Sequence, residues 1–518
     1  MKRRDFIKQS GALIGTAALS SSLFNKCSSA KKKPNIIYIL ADDLGYGELG
    51  CYGQKYIQTP HIDGLARNGM KFTQHYAGSP VCAPSRCVLL TGKHTGHAYI
   101  RGNDEWGQRG DVWSYEKMLE NPKLEGQLPI PSETITLGEL LQKAGYQTAC
   151  IGKWGLGPPF SQGSPNKQGF DYYFGFNCQR WAHTYYPPFL WENEERYPLN
   201  NKFVPLGTKL PENSDPYDPE NYSDFRLNEY APDLMLDKAL NFIEKNKKNP
   251  FFLYYAATIP HVSLQAPKKY VDRYRDVFKE EEPYPGGHYF PCRYPKATYA
   301  GMITHLDDQV NELIRKLKQI GEYENTLIIF TSDNGPTYAG GADTPYFNSA
   351  GIFGEKQGRG KGFTYEGGIR VPMIAHWPGT IKPGTQTEHI SAFWDVLPTL
   401  CELGGASIPE NTDGISFVPT LFDKKQKNQH AFLYWEFPAY NGQQAVRMGR
   451  WKAVRKDIFD GNMNIELYNL EQDPNEQNDA ASENPDIIQR IEQIMKDQHT
   501  PSEIERFKFP QLRDSIVL

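Results

Sequence analysis

The stretch Cys82-Ala83-Pro84-Ser85-Arg86, followed by Leu90-Thr91-Gly92, concentrates more chemistry than any other part of this chain of 518 residues. Pro84 fixes one backbone dihedral just after the thiol. Ser85 and Arg86 then set a hydroxyl and a permanent, fork-shaped cation beside it. Such surroundings suit an anion better than a structural thiol. Gly78-Ser79-Pro80 and Gly92 punctuate the stretch as loop and helix end. A cysteine near the start of such a helix would have backbone donors and a positive dipole end aimed at bound charge. The bland alternative is a buried cysteine in a proline-containing turn, the default for a lone thiol.

Two polar pairs add a second kind of chemistry. Asp42-Asp43 directly follows the apolar run 35–40, and Asp333-Asn334 follows the run 327–330 in the same way. Ligands of α/β sheets gather at the carboxyl ends of strands. Three carboxylates and one amide oxygen make a hard oxygen site suited to Ca²⁺ or Mg²⁺. Each pair alone is also an ordinary turn. Two pairs at two strand ends, with Cys82 between them in sequence, form a constellation. Lys153, in Gly152-Lys153-Trp154, and His261, after Pro260, also follow apolar runs. Their bland readings are a solvated lysine and a structural histidine.

The pattern C-x-P-S-R-x-x-x-L-T-G resembles the signature of the type I, formylglycine-dependent sulfatases, arylsulfatase-like members of the alkaline phosphatase superfamily. The resemblance implies that Cys82 is oxidised to formylglycine by a maturation enzyme and that its hydrated aldehyde is the nucleophile. It implies one divalent cation, calcium or magnesium, held by Asp42, Asp43, Asp333 and Asn334, with residue 82 completing the shell. The G-K-W segment makes Lys153 a sulfate ligand. The P-H segment makes His261 a contact to the bridging oxygen or a proton donor to the leaving alcohol. Lys361, in a K-G-x-x-x-E-G-G segment, would hold the sulfate and help protonate the leaving group, and Arg86 would stabilise the hydrate. One position departs from the pattern: the family commonly has G-K-W-H, and Gly155 stands where that histidine would be. The histidine helps discharge the sulfated residue, so another base is needed. His183 is the first candidate, and His94 and His97 are the others.

These residues need a scaffold. Apolar runs at 35–40, 251–255 and 327–330, and the strand-like stretch 146–151 after Gly145, read as strands of a mostly parallel sheet. Helical patterns at 62–70, 136–144, 231–247 and 305–320 alternate with them, so the expected fold is α/β with helices on both sheet faces. The resemblance implies the alkaline phosphatase-like version. After residue 425 the pattern changes to short strand-like runs and a helical stretch at 478–498, read as a smaller antiparallel subdomain. The expected division is a signal segment at 1–30, a catalytic domain at 31–424 and a C-terminal α+β subdomain at 425–518. Residues 155–230, rich in Pro, Gly, Asn and Tyr, read as long surface loops.

Composition narrows the setting. A net charge of −4 supplies no basic field for nucleic acid. The eight cysteines are scattered, with no zinc spacing and no dense disulfide framework. Lys2-Arg3-Arg4 followed by a short apolar run reads as an export signal, and Arg3-Arg4-Asp5-Phe6-Ile7-Lys8 resembles a twin-arginine signal. The run is too short for a transmembrane span. An exported, periplasmic enzyme is expected, with lipid anchoring at Cys27 as an option. The expected substrate is a sulfated carbohydrate, with terminal galactose or N-acetylgalactosamine sulfate favoured. Trp181, Tyr185, Tyr186 and Trp191 are the expected sugar-stacking rings, and Arg101, Asn103 and Arg180 the hydroxyl-binding groups. Two rivals are a phosphodiesterase or phosphonate hydrolase of the same superfamily and a non-catalytic glycan-binding homologue.

Overall fold

The computed structural model describes residues 32–354 and 358–515, and the described residues from Lys33 onward form one unit. The expected export segment and Cys27 lie outside the described residues. No described helix is long and apolar enough to cross a membrane. The seven cysteines among the described residues are all free thiols.

Among the described residues, fifteen strands and eleven α-helices make the frame. The strands are β1 (Asn35–Ala41), β2 (Met70–Tyr76), β3 (Gln147–Lys153), β4 (Tyr172–Phe176), β5 (Phe189–Glu192), β6 (Glu195–Pro198), β7 (Phe251–Ala256), β8 (Thr326–Ser332), β9 (Arg370–His376), β10 (Thr385–Thr387), β11 (Ser391–Ala392), β12 (Leu433–Phe437), β13 (Gln443–Met448), β14 (Trp451–Arg455) and β15 (Glu466–Asn469). The helices are α1 (Pro60–Arg67), α2 (Cys82–Thr91), α3 (Tyr115–Glu120), α4 (Leu137–Lys143), α5 (Ala231–Lys245), α6 (Lys268–Arg275), α7 (Pro295–Gln319), α8 (Glu366–Ile369), α9 (Val396–Gly404), α10 (Val418–Leu421) and α11 (Pro485–Gln498).

The first sheet runs β10-β2-β9-β8-β1-β7-β3-β4-β5-β6, with β11 also pairing with β2. Its middle is parallel: β1 lies between β7 and β8, and β3 between β7 and β4. Strands covered on both faces lose alternation, which is why β1 and β7 are buried at every position. β9 joins β8 and β2 antiparallel, and β4, β5 and β6 extend the other edge antiparallel. The fold is thus a mixed, mostly parallel sheet flanked by helices, as expected. The register aligns the strands at one edge. Ala41 pairs with Ser332, Leu40 with Ala256, and Gly152 with Ala256, so four strand ends finish nearly level.

The second sheet, β12-β13-β14-β15, is antiparallel. Tyr434, Val446, Ala453 and Leu467 pack with Ile491 and Met495 of α11 in its own apolar cluster. Its other ties run to the first sheet. Trp435 Nε1 donates to the Ala77 carbonyl at 2.9 Å, and Lys452 Nζ meets Glu366 at 3.1 Å, both fully buried.

Two expectations need correction. Helix α7 begins at Pro295, ten residues before the expected start, because its first turns are buried among apolar neighbours and show no polar face. Residues 155–200 are not surface loops. They contain β4 to β6 and are mostly buried, since these strands extend the sheet and their side chains join its core.

Candidate active site

The level strand ends deliver one cluster. Asp42 and Asp43 follow β1, Lys153 ends β3, His261 lies five residues beyond β7, and Asp333 and Asn334 follow β8. Helix α2 points its first residue, Cys82, into the same place. The helix ends as the sequence suggests, with Gly92 left-handed at φ 67° and donating to the Val88 carbonyl. Lys361 arrives on the loop before α8.

Distances bind these residues together. The Cys82 thiol is 2% exposed and donates to Asp42 Oδ1 at 3.4 Å. Lys153 Nζ donates to Asp42 Oδ2 at 2.5 Å and lies 3.6 Å from Cys82 Sγ. Lys361 Nζ donates to Asp43 Oδ2 at 2.7 Å, and His261 Nε2 stands 3.7 Å from the same oxygen. Asn334 Nδ2 donates to Asp43 Oδ1 at 2.8 Å, and the Asp43 amide donates to Asp333 Oδ1 at 3.1 Å. Arg86 is spent on fixed partners: Asp333 at 2.9 Å, the Gln179 amide oxygen at 2.7 Å and the Trp154 carbonyl at 3.0 Å. No motif in the sequence points to Gln179, whose contact depends on a loop 93 residues away.

Electrostatics identify the strain in this cluster. Burial would raise Asp42, but Lys153, His261, Arg86 and Lys361 outweigh it and hold the carboxyl well below the usual range. Burial raises Asp43 despite Lys361, with Asp42 adding to the rise. Burial and then Asp42 raise Asp333 despite Arg86. Three buried carboxylates cannot all ionise comfortably so close together. Asn334 Oδ1 is buried without a hydrogen-bond partner. An unpaired acceptor beside crowded carboxylates is the donor set of a hard divalent cation, and these residues fit one. Burial, then Asp42, pushes the Cys82 thiol up to about 12. Such a thiol stays protonated near neutrality and is a weak nucleophile.

The candidate bases separate. The His183 ring stacks on His261, with centroids 4.9 Å apart and planes 11° apart. Burial lowers both histidines well below their ordinary value, reinforced by His261 at His183 and by Lys361 at His261. The structure keeps His94 and His97 away from this cluster. Helix α2 carries them to its far end, where His97 Nδ1 contacts Asp413 at 3.0 Å and His94 Nε2 contacts Gln498 at 3.1 Å.

The expected sugar-binding residues are placed differently. Trp181, Tyr185, Tyr186 and Trp191 are buried. The Tyr185 hydroxyl lies 2.7 Å from the His261 carbonyl, and Trp191 Nε1 donates to Glu125 at 2.9 Å. They brace the site from inside. Arg101 is buried against Glu436. Arg180 pairs with Glu105 at 3.0 Å and lies under the exposed ring of Trp113. Asn103 Oδ1 accepts the Ala83 amide at 3.0 Å, capping an otherwise orphan donor at the start of α2.

Comparison with known proteins places this geometry. The sulfatase family profile matches residues 34–406, and the profile described as N-sulphoglucosamine sulphohydrolase, C-terminal, matches residues 354–501. Arylsulfatase A of Homo sapiens is 34% identical over 440 residues, covering 82% of this chain and 75% of that protein. N-acetylgalactosamine-6-O-sulfatase of Bacteroides thetaiotaomicron is 28% identical over 520 residues, covering 90% of this chain and 93% of that protein. The crystal structure of Ps i-CgsB superposes with a TM-score of 0.71 at 28% identity, covering 90% of this chain and 94% of that one. The chain therefore belongs to the type I sulfatase family as a sulfuric ester hydrolase.

Proposed function

We propose that the protein removes sulfate from a sulfated carbohydrate, using formylglycine made from Cys82 and a calcium or magnesium ion held by Asp42, Asp43, Asp333 and Asn334. The observation that carries this reading is the buried thiol at the start of α2. It is too weakly acidic to attack as a thiolate, yet it sits within 3.6 Å of a lysine and 3.4 Å of a carboxylate. Oxidation and hydration would supply a hydroxyl nucleophile there, and the cation would offset charge on the sulfate oxygens.

The chain's own groups do the rest. Lys153 and Lys361 bring two ammonium groups to bound sulfate oxygens. Arg86, fixed by Asp333, Gln179 and the Trp154 carbonyl, lends its charge from below. His261 Nδ1 contacts the Val262 carbonyl, and the tautomer this selects leaves Nε2 as an acceptor. Lys361 therefore supplies the proton to the departing alcohol, and His261 Nε2 accepts a hydrogen bond from that alcohol once it carries the proton. His183, neutral and stacked on His261, takes the proton released at residue 82, the role for which Gly155 has no side chain.

Support for a carbohydrate comes from the relatives. One is named N-acetylgalactosamine-6-O-sulfatase, and a Ps i-CgsB structure at 28% identity holds k-i-k-neocarrahexaose. Sulfated galactose or N-acetylgalactosamine is the favoured class. An exported, periplasmic location rests on the basic and apolar N-terminus alone. The test is a mass measurement on the peptide containing residue 82, paired with sulfate release from a panel of sulfated sugars. We expect the formylglycine mass and sulfate release that Cys82→Ala abolishes. An unmodified thiol with no sulfate released overturns the reading, and faster turnover of matched phosphate esters would favour a phosphodiesterase.

A further inference from the structure

Most of the catalytic cluster is sealed. Asp42, Lys153, Asp333 and Arg86 expose 2% or less of their side chains, whereas Lys361 keeps 17% and His183 is half-buried. A ligand therefore enters past Lys361 and His183. Two tyrosines stand beside these residues. The Tyr289 ring meets His183 edge-on at 5.4 Å and His261 at 6.3 Å, and its hydroxyl lies in the field of Lys361, Asp43, Cys82 and Tyr440.

Tyr440 is the unusual one. It sits in the turn between β12 and β13 and is 58% exposed, with φ at 50°. A bulky residue held left-handed is strained, and such strain persists where the surroundings over-determine it. Here they do. Asn441 Nδ2 donates to Asp457 and Asp460, the Gly442 amide donates to the Ala439 carbonyl at 3.1 Å, and the Phe459 amide donates to the Asn441 carbonyl at 3.1 Å. The Tyr440 ring is backed by Phe363 at 5.5 Å and Phe437 at 5.8 Å. It also covers Gly362, where an added Cβ would lie 2.9 Å from the ring. Gly362 follows Lys361 directly, and its amide donates to the Pro80 carbonyl at 2.9 Å, two residues before Cys82. Gln443 Nε2 closes the circuit by donating to the Gly362 carbonyl at 2.8 Å. A strained turn thus holds an exposed ring one residue from a sulfate-binding lysine.

We propose that Tyr440, together with Tyr289, forms the aromatic wall that receives the sugar ring bearing the sulfate, so that the β12–β13 turn sets substrate selectivity. The inference rests on the sulfatase reading above and names the part of the substrate that the turn recognises. A pyranose has one apolar face of C–H bonds and a polar rim of hydroxyls. The apolar face packs on a tyrosine ring while the rim stays hydrated, a match that fixed aromatic surfaces make at low entropic cost. With the sulfate held by Lys153 and Lys361, the wall orients the leaving oxygen. Tyr440 is a specificity residue here, and the reacting atoms are served by other groups.

The test uses the full mature chain with galactose 6-sulfate, N-acetylgalactosamine 6-sulfate and a sulfated carrageenan hexasaccharide as probes. Tyr440→Ala should raise KM about tenfold and change kcat by about twofold or less, the loss of one aromatic contact. Tyr440→Phe should keep the parent KM. Inhibition by inorganic sulfate, which touches only the inner cluster, should be the same in all three proteins. An unchanged KM in Tyr440→Ala, or a sulfate inhibition constant that rises in step with KM, overturns the inference. If the parent protein releases no sulfate from any probe, the hydrolytic reading falls by itself. Calorimetric binding of the same probes then decides this inference: Tyr440-dependent binding upholds it, and absent or Tyr440-independent binding overturns it.

Discussion

At Gly155 the backbone is left-handed, with φ near 76°, and an added Cβ would lie 3.0 Å from the Gln179 amide oxygen and 3.1 Å from an Arg86 nitrogen. Restoring the family's usual histidine there would strain the backbone and press on the partners that fix Arg86. Gly155→His should therefore lower stability by about 1–3 kcal/mol and reduce kcat/KM. Thermal melting and steady-state kinetics check this, and a gain in activity would show that the site can still use the old base. At this scale much of the site was legible. Asp42, Asp43, Lys153, His261, Asp333 and Asn334 follow strand-like stretches, Cys82 and Lys361 stand in short motifs, and the structure gathers them. Gln179 and the cap from Asn103 to Ala83 were not legible as such, because each partner is chosen by a distant loop. Trp181 and Tyr185 misled for a related reason: an aromatic side chain in a Pro- and Gly-rich stretch does not reveal which way it faces.

Strand β3 depends on backbone closeness just before Lys153. Gly152 has φ 121°, and a Cβ there would fall 1.8 Å from the Ala256 carbonyl oxygen in the neighbouring strand. No side chain can yield at that point, since the obstacle is backbone. Gly152→Ala should destabilise the protein by about 3 kcal/mol or more, combining strain with overpacking. It should also shift Lys153 away from Asp42, so activity should fall further than stability alone requires. A melting temperature within about 2 °C of the parent would contradict this. The elements nearest the site were the easiest to read. β1, β7 and β8 are buried at every position and their centres read as unbroken apolar runs, and β3 is buried from Thr148 onward. β2 mixes Lys71 and Gln74 into its length, and the partners that pair with it lie about 300 residues away, so local pattern carried little of it.

Across the whole molecule, two sets of buried groups pull stability in opposite directions between pH 5 and pH 8. Burial lowers the histidines His75, His94, His183, His261, His376 and His389, which add stability as pH rises through their ordinary value. Three carboxyls work against them. Burial raises Glu105, Glu125 and Asp307 each to about 7, against the pull of Arg180, of Arg196, and of the His61 and Ile62 amides respectively. A carboxyl raised on folding binds its proton more tightly in the folded state. Its stabilising contribution is complete below the unfolded value near 4 and fades as pH rises through 7. Glu366, held low at about 2 despite burial by Lys452, Arg370 and Arg447, works the other way, but its contribution is lost only in strong acid. The melting temperature of Asp307→Asn, measured in EDTA, should therefore rise relative to that of the parent as pH goes from 5 to 8, because the parent alone loses the contribution of this carboxyl. A relative fall across the same window would contradict the sign. The seclusion of Cys82 has a consequence for how the protein is made. On the proposed function, a maturation enzyme would have to grip the chain on both sides of Cys82, and a side chain at the foot of a buried helix offers no such grip. Converted and unconverted copies would then be sorted while the chain is still open, and each would keep its fate for life. The specific activity of a preparation would become a record of its synthesis, beyond the reach of any treatment applied to the finished molecule.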